Sequence, residues 1–485
     1  MEQKDSVIER TLSNLAGAWR DIAQSAARTI GLKARAHFEA DPAALRALMG
    51  ACLEARGGEV SARMRSAELG EAYLQFDAEG RRRFLEVLAT SFDVDEAALA
   101  AAIDAYRDAS DPDGRLRAGR RLRHATVPAR VRLLTQFNAL PDGIKFLVDL
   151  RVDLLTVDAP TPALKGLDSD LRELLSSWFD TGFLDLARVT WDSPASLLEK
   201  LIAYEAVHAI ESWDDLRNRL ESDRRMYALF HPRMPDEPLA FVEVALVQGI
   251  ARNVQALLDK AAPETDPRAA DTAIFYSISN TQRGLRGISF GEFLIKRVVQ
   301  RLSAELPRIQ TFATLSPIPG LRDWLDSCPE KIVEQAMSES QRGGVCALGG
   351  SDDTAEALRA ILARAEWARD PVVVKALREP MTRLAARYFT ERREDGQPID
   401  PVARFHLKNG ARLEHINWMG DTSPHGLRQS ASLMANYRYV LDEIESNHEA
   451  YMKDGVFALG TEARALGRLA AEPEARAHLR RLGLR

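Results

Sequence analysis

The chain has 485 residues, 46% hydrophobic and 28% charged, so it is too long for one typical core and too apolar for general disorder. A net charge of -6 and a pI near 6.0 exclude the basic balance of a dedicated nucleic-acid binder. Three distant cysteines, Cys52, Cys328 and Cys346, supply neither a disulfide framework nor a zinc spacing, so no metal is expected. The N-terminal MEQKDSVIERTL lacks a basic stretch followed by an apolar core, no uncharged run reaches membrane-spanning length, and the terminal RRLGLR is not a peroxisomal address. These features, with the Ala and Arg richness, predict a cytoplasmic bacterial protein with no membrane partner.

Residues 1–190 predict a helical bundle, because apolar positions recur at helical spacing, as in LRALMGACLEARGGEVSARMRSAELGEAYL, and with no convergent set of chemical side chains it is expected to serve assembly or support. DPDG (111–114), LPDG (140–143) and DAPTPALKG (158–166) mark its turns. The arginine clusters EGRRRF and DRRMY read as solvated helix faces. A linker helix pair, SPASLLEKLIAYEAVHAIESWDDLRNRLE, is expected to open on Ser193 as its N-cap.

The composition then changes. PLAFVEVAL (238–246), TAIFYSIS (272–279) and RIQTFATLS (308–316) are β-branched and aromatic, and two of them flank a long helix. Strand, loop, helix and strand imply an α/β layer within residues 191–485. A helical insertion is predicted over about 320–395. In VARFHLKNGARLEHINW (402–418) the pair Asn409 and Gly410 predicts a β-hairpin, and from SASLMANYRYVLDEIESNHEAY onward the chain reads as helix.

Two segments carry candidate chemistry. In NTQRGLRGISFG, Gly284, Gly287 and Gly291 open into a helix beside Arg283 and Arg286, an arrangement suited to a pyrophosphate. The loop fits neither the Walker nor the Rossmann spacing, whereas RGISFG resembles the acyl-CoA N-acyltransferase (GNAT-type) pattern, with Ser289 at a usual glycine. In TFATLSPIPG (311–320), Ser316 ends a strand run before Pro317 and Pro319. It reads either as a loop serine satisfying backbone groups or as a hydroxyl held still for chemistry.

Taken in order, HPRMPDEPLAFVEVAL, AIFYSISNTQRGL, FGEFLIKRVV, TLSPIPG, PVARFHLKNGA, INWMGD and SLMANYRY resemble the malonyl-CoA decarboxylase family, closely over about residues 190–440. The resemblance implies an α+β multidomain protein, with an N-terminal helical domain used in oligomerisation and a C-terminal GNAT-type α/β catalytic domain. It implies conversion of malonyl-CoA to acetyl-CoA and CO2 without a cofactor. It further implies catalytic Ser316 in SPIPG, His406 in FHLKNGA and Tyr439 in NYRY. Malonyl-CoA would be held by Ser316 and His406 together with the loop Arg286, Gly287, Ile288, Ser289, Phe290, Gly291 and Glu292. Some family members carry a glutamate at the position of Ser289, and that acid's role does not transfer.

Loss of CO2 leaves an enolate that must be stabilised and then protonated on carbon. His406 suits general acid catalysis with little tuning, and Ser316 either orients the carboxylate or donates to the developing charge. His208, His415 and His425 read as structural. A GNAT-type acyltransferase and a non-catalytic CoA-binding scaffold are the alternatives.

Overall fold

The computed structural model describes residues 13–25, 40–54, 58–288 and 290–470 and has an α+β fold, an N-terminal helical region followed by a mixed sheet. The helical region runs to helix Pro162–Trp178. Two turn signals serve as helix starts: Asp111 caps the helix that begins with Pro112, and Thr161 caps the one that begins with Pro162. The EGRRRF segment lies on helix Ala78–Ser91, with Arg82 and Arg83 exposed and paired to Glu79.

Eight strands form one sheet: β1 (Asp185–Val189), β2 (Arg224–Phe230), β3 (Ala240–Val247), β4 (Thr272–Asn280), β5 (Thr311–Thr314), β6 (Ser316–Pro317), β7 (Arg412–Asn417) and β8 (Met434–Tyr439). The order is β1-β2-β3-β4-β5-β8-β6, with β7 also paired to β8. Only β4 and β5 run parallel, because the glycine loop and helix Gly291–Glu305 cross between them. One apolar cluster joins Trp19 and Leu147 of the helical region to Val298, Phe312 and Tyr437 of the sheet region.

The prolines do not stop the strand at Ser316. Pro317 belongs to β6, an edge strand, where its missing N–H costs no ladder bond. After it, Gly320 adopts φ 82° and helix Leu321–Ser327 begins the expected helical insertion, which continues to helix Pro371–Tyr388.

Several expectations are corrected. DRRMY is not a helix face: Arg224 and Arg225 are buried in β2, where Arg224 pairs with Asp223 and Arg225 with Glu305. The N-cap before Ala195 is Pro194, and Ser193 Oγ instead accepts the Thr190 N–H. The segment SLMANYRY is strand: Ala435, Tyr437 and Tyr439 point into the main core, while Met434 faces the other layer. A 3-10 turn, Leu441–Glu443, then leads into the α-helix Ile444–Asp454.

The predicted hairpin at 402–418 is a helix, Pro401–Lys408, followed by β7. Asn409 and Gly410 end that helix. Gly410 N–H donates to Leu407 O at 3.0 Å and Ala411 N–H to His406 O at 3.1 Å, which is a Schellman stop. A hairpin turn and a Schellman stop both need positive φ after a polar residue, so the dipeptide alone does not separate them. Gly410 has φ 79°, and an added Cβ would lie 2.2 Å from Ile444 O. Gly410→Ala is therefore expected to lower stability by about 1–3 kcal/mol in urea unfolding. A loss below about 0.5 kcal/mol, the scale of an ordinary surface change, would show that the stop does not constrain the helix.

Candidate active site

β4 and β5 pair from Thr272 with Thr311 to Phe275 with Thr314, and the last rung is Leu315 N–H to Phe275 O at 2.9 Å. β4 then runs on to Asn280, while the other chain swings away so that Ser316 pairs with Ala435 of β8. The strands part at their C-terminal ends, and a cavity of about 260 Å³ occupies the opening. Tyr276 and Asn280 line it from β4, Ser316 and Pro317 from β6, and Phe405 and His406 from the helix Pro401–Lys408. Its other walls are apolar, and no Lys or Arg lines it among the described residues.

Ser316, His406 and Tyr439, far apart in the sequence, form one buried chain. His406 Nε2 lies 3.3 Å from Ser316 Oγ and Nδ1 lies 2.8 Å from the Tyr439 hydroxyl. Ser316 Oγ donates to Thr314 Oγ1 at 2.9 Å, and Thr314 Oγ1 also accepts the Tyr437 N–H at 3.2 Å. With the serine proton turned to Thr314, the imidazole proton belongs on Nε2 and Tyr439 donates to Nδ1. The Tyr437 ring stacks on the imidazole, with centroids 4.6 Å apart.

Burial pushes the His406 pKa down from 6.5 to about 3, and no charged group opposes it. The expectation that this histidine needs little tuning is overturned, because the free enzyme holds a neutral imidazole. Its helix is fixed at both ends. At the start, buried Asp400 accepts the Ala403 N–H at 2.6 Å. Burial pushes the Asp400 carboxyl up to about 7, against its bonds from backbone N–H groups. Tyr388, from the helical insertion, donates to Pro319 O at 2.9 Å and lies 3.5 Å from Asp400 Oδ2, joining the SPIPG turn to the histidine helix.

Beside the cavity, Glu205 accepts the Ser277 hydroxyl at 2.7 Å, the Ser279 hydroxyl at 3.0 Å and the Val207 N–H at 2.8 Å. Deeper still, buried Glu243 is pushed up to about 8 by burial and by the Glu205 charge, while Arg219 donates to it at 3.1 Å. Sequence reading missed Thr314, Asp400, Tyr388 and Glu205. Only Asp400 carried a signal, an Asp-Pro helix start six residues before His406.

The loop follows β4 directly, yet none of its described residues lines the cavity. Arg286 is exposed, Gly287 has φ 84°, Ile288 is half-buried and Phe290 is buried. Ser289 lies outside the described residues, as do the side chains of Gly291 and Glu292. His208 is buried, His415 Nδ1 lies 3.0 Å from Arg252 Nη2, and neither lines the cavity.

The family descriptions "Malonyl-CoA decarboxylase N-terminal domain" and "Malonyl-CoA decarboxylase C-terminal domain" match residues 92–179 and 182–478. The mitochondrial malonyl-CoA decarboxylase of Anser anser anser is 40% identical over 409 residues, covering 81% of each chain. That of Mus musculus is 38% identical over 391 residues, covering 78% of this chain and 79% of its own. The crystal structure of malonyl-CoA decarboxylase from Agrobacterium vitis superposes with a TM-score of 0.78 at 42% identity, covering 87% of this chain and 99% of that one. The one from Rhodopseudomonas palustris gives 0.77 at 41% identity, covering 88% and 99%. With both domains matched in order and relatives aligned over most of their length, the chain belongs to the malonyl-CoA decarboxylase family.

Proposed function

We infer that the chain's reaction, loss of CO2 from malonyl-CoA to give acetyl-CoA, runs through a thioester enolate at Ser316, His406 and Tyr439. The observation that carries this reading is the polarity of the cavity: hydrogen-bonding groups at the Ser316–His406 edge, Tyr276 and Asn280 on the β4 side, apolar residues over the rest of the wall, and no lining cation among the described residues. A malonyl carboxylate against apolar walls loses its hydration with no ion pair in return, which favours the state in which its charge has moved away. As the carbon–carbon bond breaks, its electron pair moves onto the thioester oxygen and CO2 leaves. Ser316 orients the substrate, and the Nε2–H at that edge favours the enolate.

The α-carbon then takes the Nε2 proton of His406. A neutral imidazole is a weak acid, but as Nε2 loses its proton Nδ1 receives one from Tyr439, so no imidazolate forms. One proton from solvent, taken up at Nε2 as Nδ1 returns its proton to Tyr439, restores the starting tautomer and balances malonyl-CoA plus a proton against acetyl-CoA plus CO2. The loop from Arg286 to Glu292 is the anchor for the CoA phosphates, a reading supported by its exposed arginine and its helix entry. We further propose a cytoplasmic enzyme of fatty-acid metabolism that self-associates through residues 1–190; the helical composition of that region supports the self-association. A monomer mass by light scattering at micromolar concentration would count against self-association.

Incubation with malonyl-CoA alone should release CO2 and acetyl-CoA in equal amounts; turnover only after an amine acceptor is added would instead support acyl transfer. His406→Ala is expected to lower kcat by about a hundredfold or more. Retention of near wild-type kcat would remove the histidine from the chemistry. Histidine NMR of the free enzyme should show no His406 titration between about pH 5 and 8, whereas a midpoint near 6.5 would contradict a neutral buried ring. Because its folded pKa of about 3 lies below the unfolded value near 6.5, the unfolded chain binds more protons between them. The stability contributed by His406 is therefore full above about 6.5 and lost as the pH falls toward 3.

A further inference from the structure

A buried arginine of the helical region bonds the backbone of the glycine loop. Arg151, on helix Gly143–Leu155, is buried and makes three bonds. Its Nε donates to Asp168 Oδ1 at 2.7 Å, and its Nη1 donates to the carbonyl oxygens of Gly284 at 2.6 Å and Arg286 at 2.9 Å. Helix and loop meet backbone to backbone, since a Cβ on Gly284 would lie 1.9 Å from Val148 O.

The Arg286 carbonyl sits inside a tight turn. Ile288 N–H donates to Leu285 O at 3.0 Å, Arg286 has φ −55° and ψ 127°, and Gly287 has φ 84°, the values of a type II turn. The peptide between Arg286 and Gly287 is planar and trans, so its N–H points opposite to its carbonyl. While Arg151 holds the carbonyl on the side of the helical region, the Gly287 N–H faces the other way. Rotation of that peptide would give a type I turn, which a glycine tolerates, and would reverse the N–H. Asp168 balances the guanidinium charge, so Arg151 is committed to the turn rather than to a ligand. Arg172, on helix Pro162–Trp178, overhangs the same turn, its Cδ 3.9 Å from where a Cβ of residue 287 would stand.

We propose that Arg151 is a positioning residue for substrate binding: it fixes the Arg286–Gly287 peptide so that the Gly287 N–H and the exposed Arg283 and Arg286 side chains meet the nucleotide phosphates of malonyl-CoA together. The helical region then tunes affinity for the nucleotide end of the substrate, in addition to any part in assembly. This rests on the reading of the loop as the CoA anchor, and the test separates the two. Malonyl-CoA is compared with malonyl-pantetheine, which carries the same thioester without the nucleotide phosphates. Arg151→Lys and Arg151→Met should raise KM for malonyl-CoA by about tenfold, with kcat within about twofold, and leave malonyl-pantetheine unchanged. A mere loss of folded protein would lower both substrates' rates in the same proportion, and that result would overturn the proposal. Arg286→Ala should also raise KM for malonyl-CoA more than it lowers kcat. If Arg286→Ala changes the ratio between the substrates and neither Arg151 variant does, the role of Arg151 is wrong and the loop reading stands. If none of the three variants changes the ratio, the loop reading falls and the Arg151 proposal with it.

Discussion

The hydrogen bond from the Tyr439 hydroxyl to His406 Nδ1, 2.8 Å long and buried, is the contact on which the site depends. With the serine proton turned to Thr314 the imidazole proton sits on Nε2, and this bond occupies Nδ1 as its acceptor. For the bond to form, a helix and a strand from different parts of the chain must meet in one register. The helix is set by the Asp400 cap at its start and the Gly410 stop at its end. The strand is set by β8 lying between β5, β6 and β7, with Tyr437 and Tyr439 turned to the same side. Stacking of Tyr437 on the imidazole then excludes water from the face of the ring, and burial keeps the ring neutral.

The parting of β4 and β5 supplies the space. Parallel strands joined by a helix have no hairpin to tie their far ends together, so after Thr314 one can continue and the other can turn away. Ser316 stands at that fork, held by Thr314 behind it and by the edge pairing of Pro317 with Met434. The helical insertion reinforces the fork through Tyr388, which bonds the carbonyl of Pro319. The serine is thus immobilised by contacts from β5, β8 and the insertion.

Much of this was legible in the sequence. The three strands with alternating or β-branched character and the helix between two of them stand where pattern and punctuation put them, whereas Ser316 opens β6 and the strand runs on through Pro317. Two segments were not legible as read, and both carry site residues. PVARFHLKNGARLEHINW was read as a hairpin because Asn-Gly marks a positive φ without saying what precedes it; the Asp-Pro start of the helix, with Gly410 at its stop, was the signal to weigh against it. MANYRY was read as helix because it runs into a helical segment, although its alternation of small or aromatic residues with polar ones is the period of a strand. The lowered pKa of His406 had no sequence signal, since it comes from the residues that tertiary packing places around the ring. The contacts of Arg151 with the glycine loop were illegible for the same reason, being more than a hundred residues apart in sequence.

If Ser316 and His406 work as one hydrogen-bonded unit, their losses do not multiply. The decisive measurement is a double-mutant cycle in kcat on malonyl-CoA, comparing Ser316→Ala, His406→Ala and the double variant. The double variant is expected to be about as slow as the slower single variant, within a few-fold. A double variant whose rate falls by the product of the two single losses would mean that the two residues act independently, and would contradict the hydrogen-bonded unit.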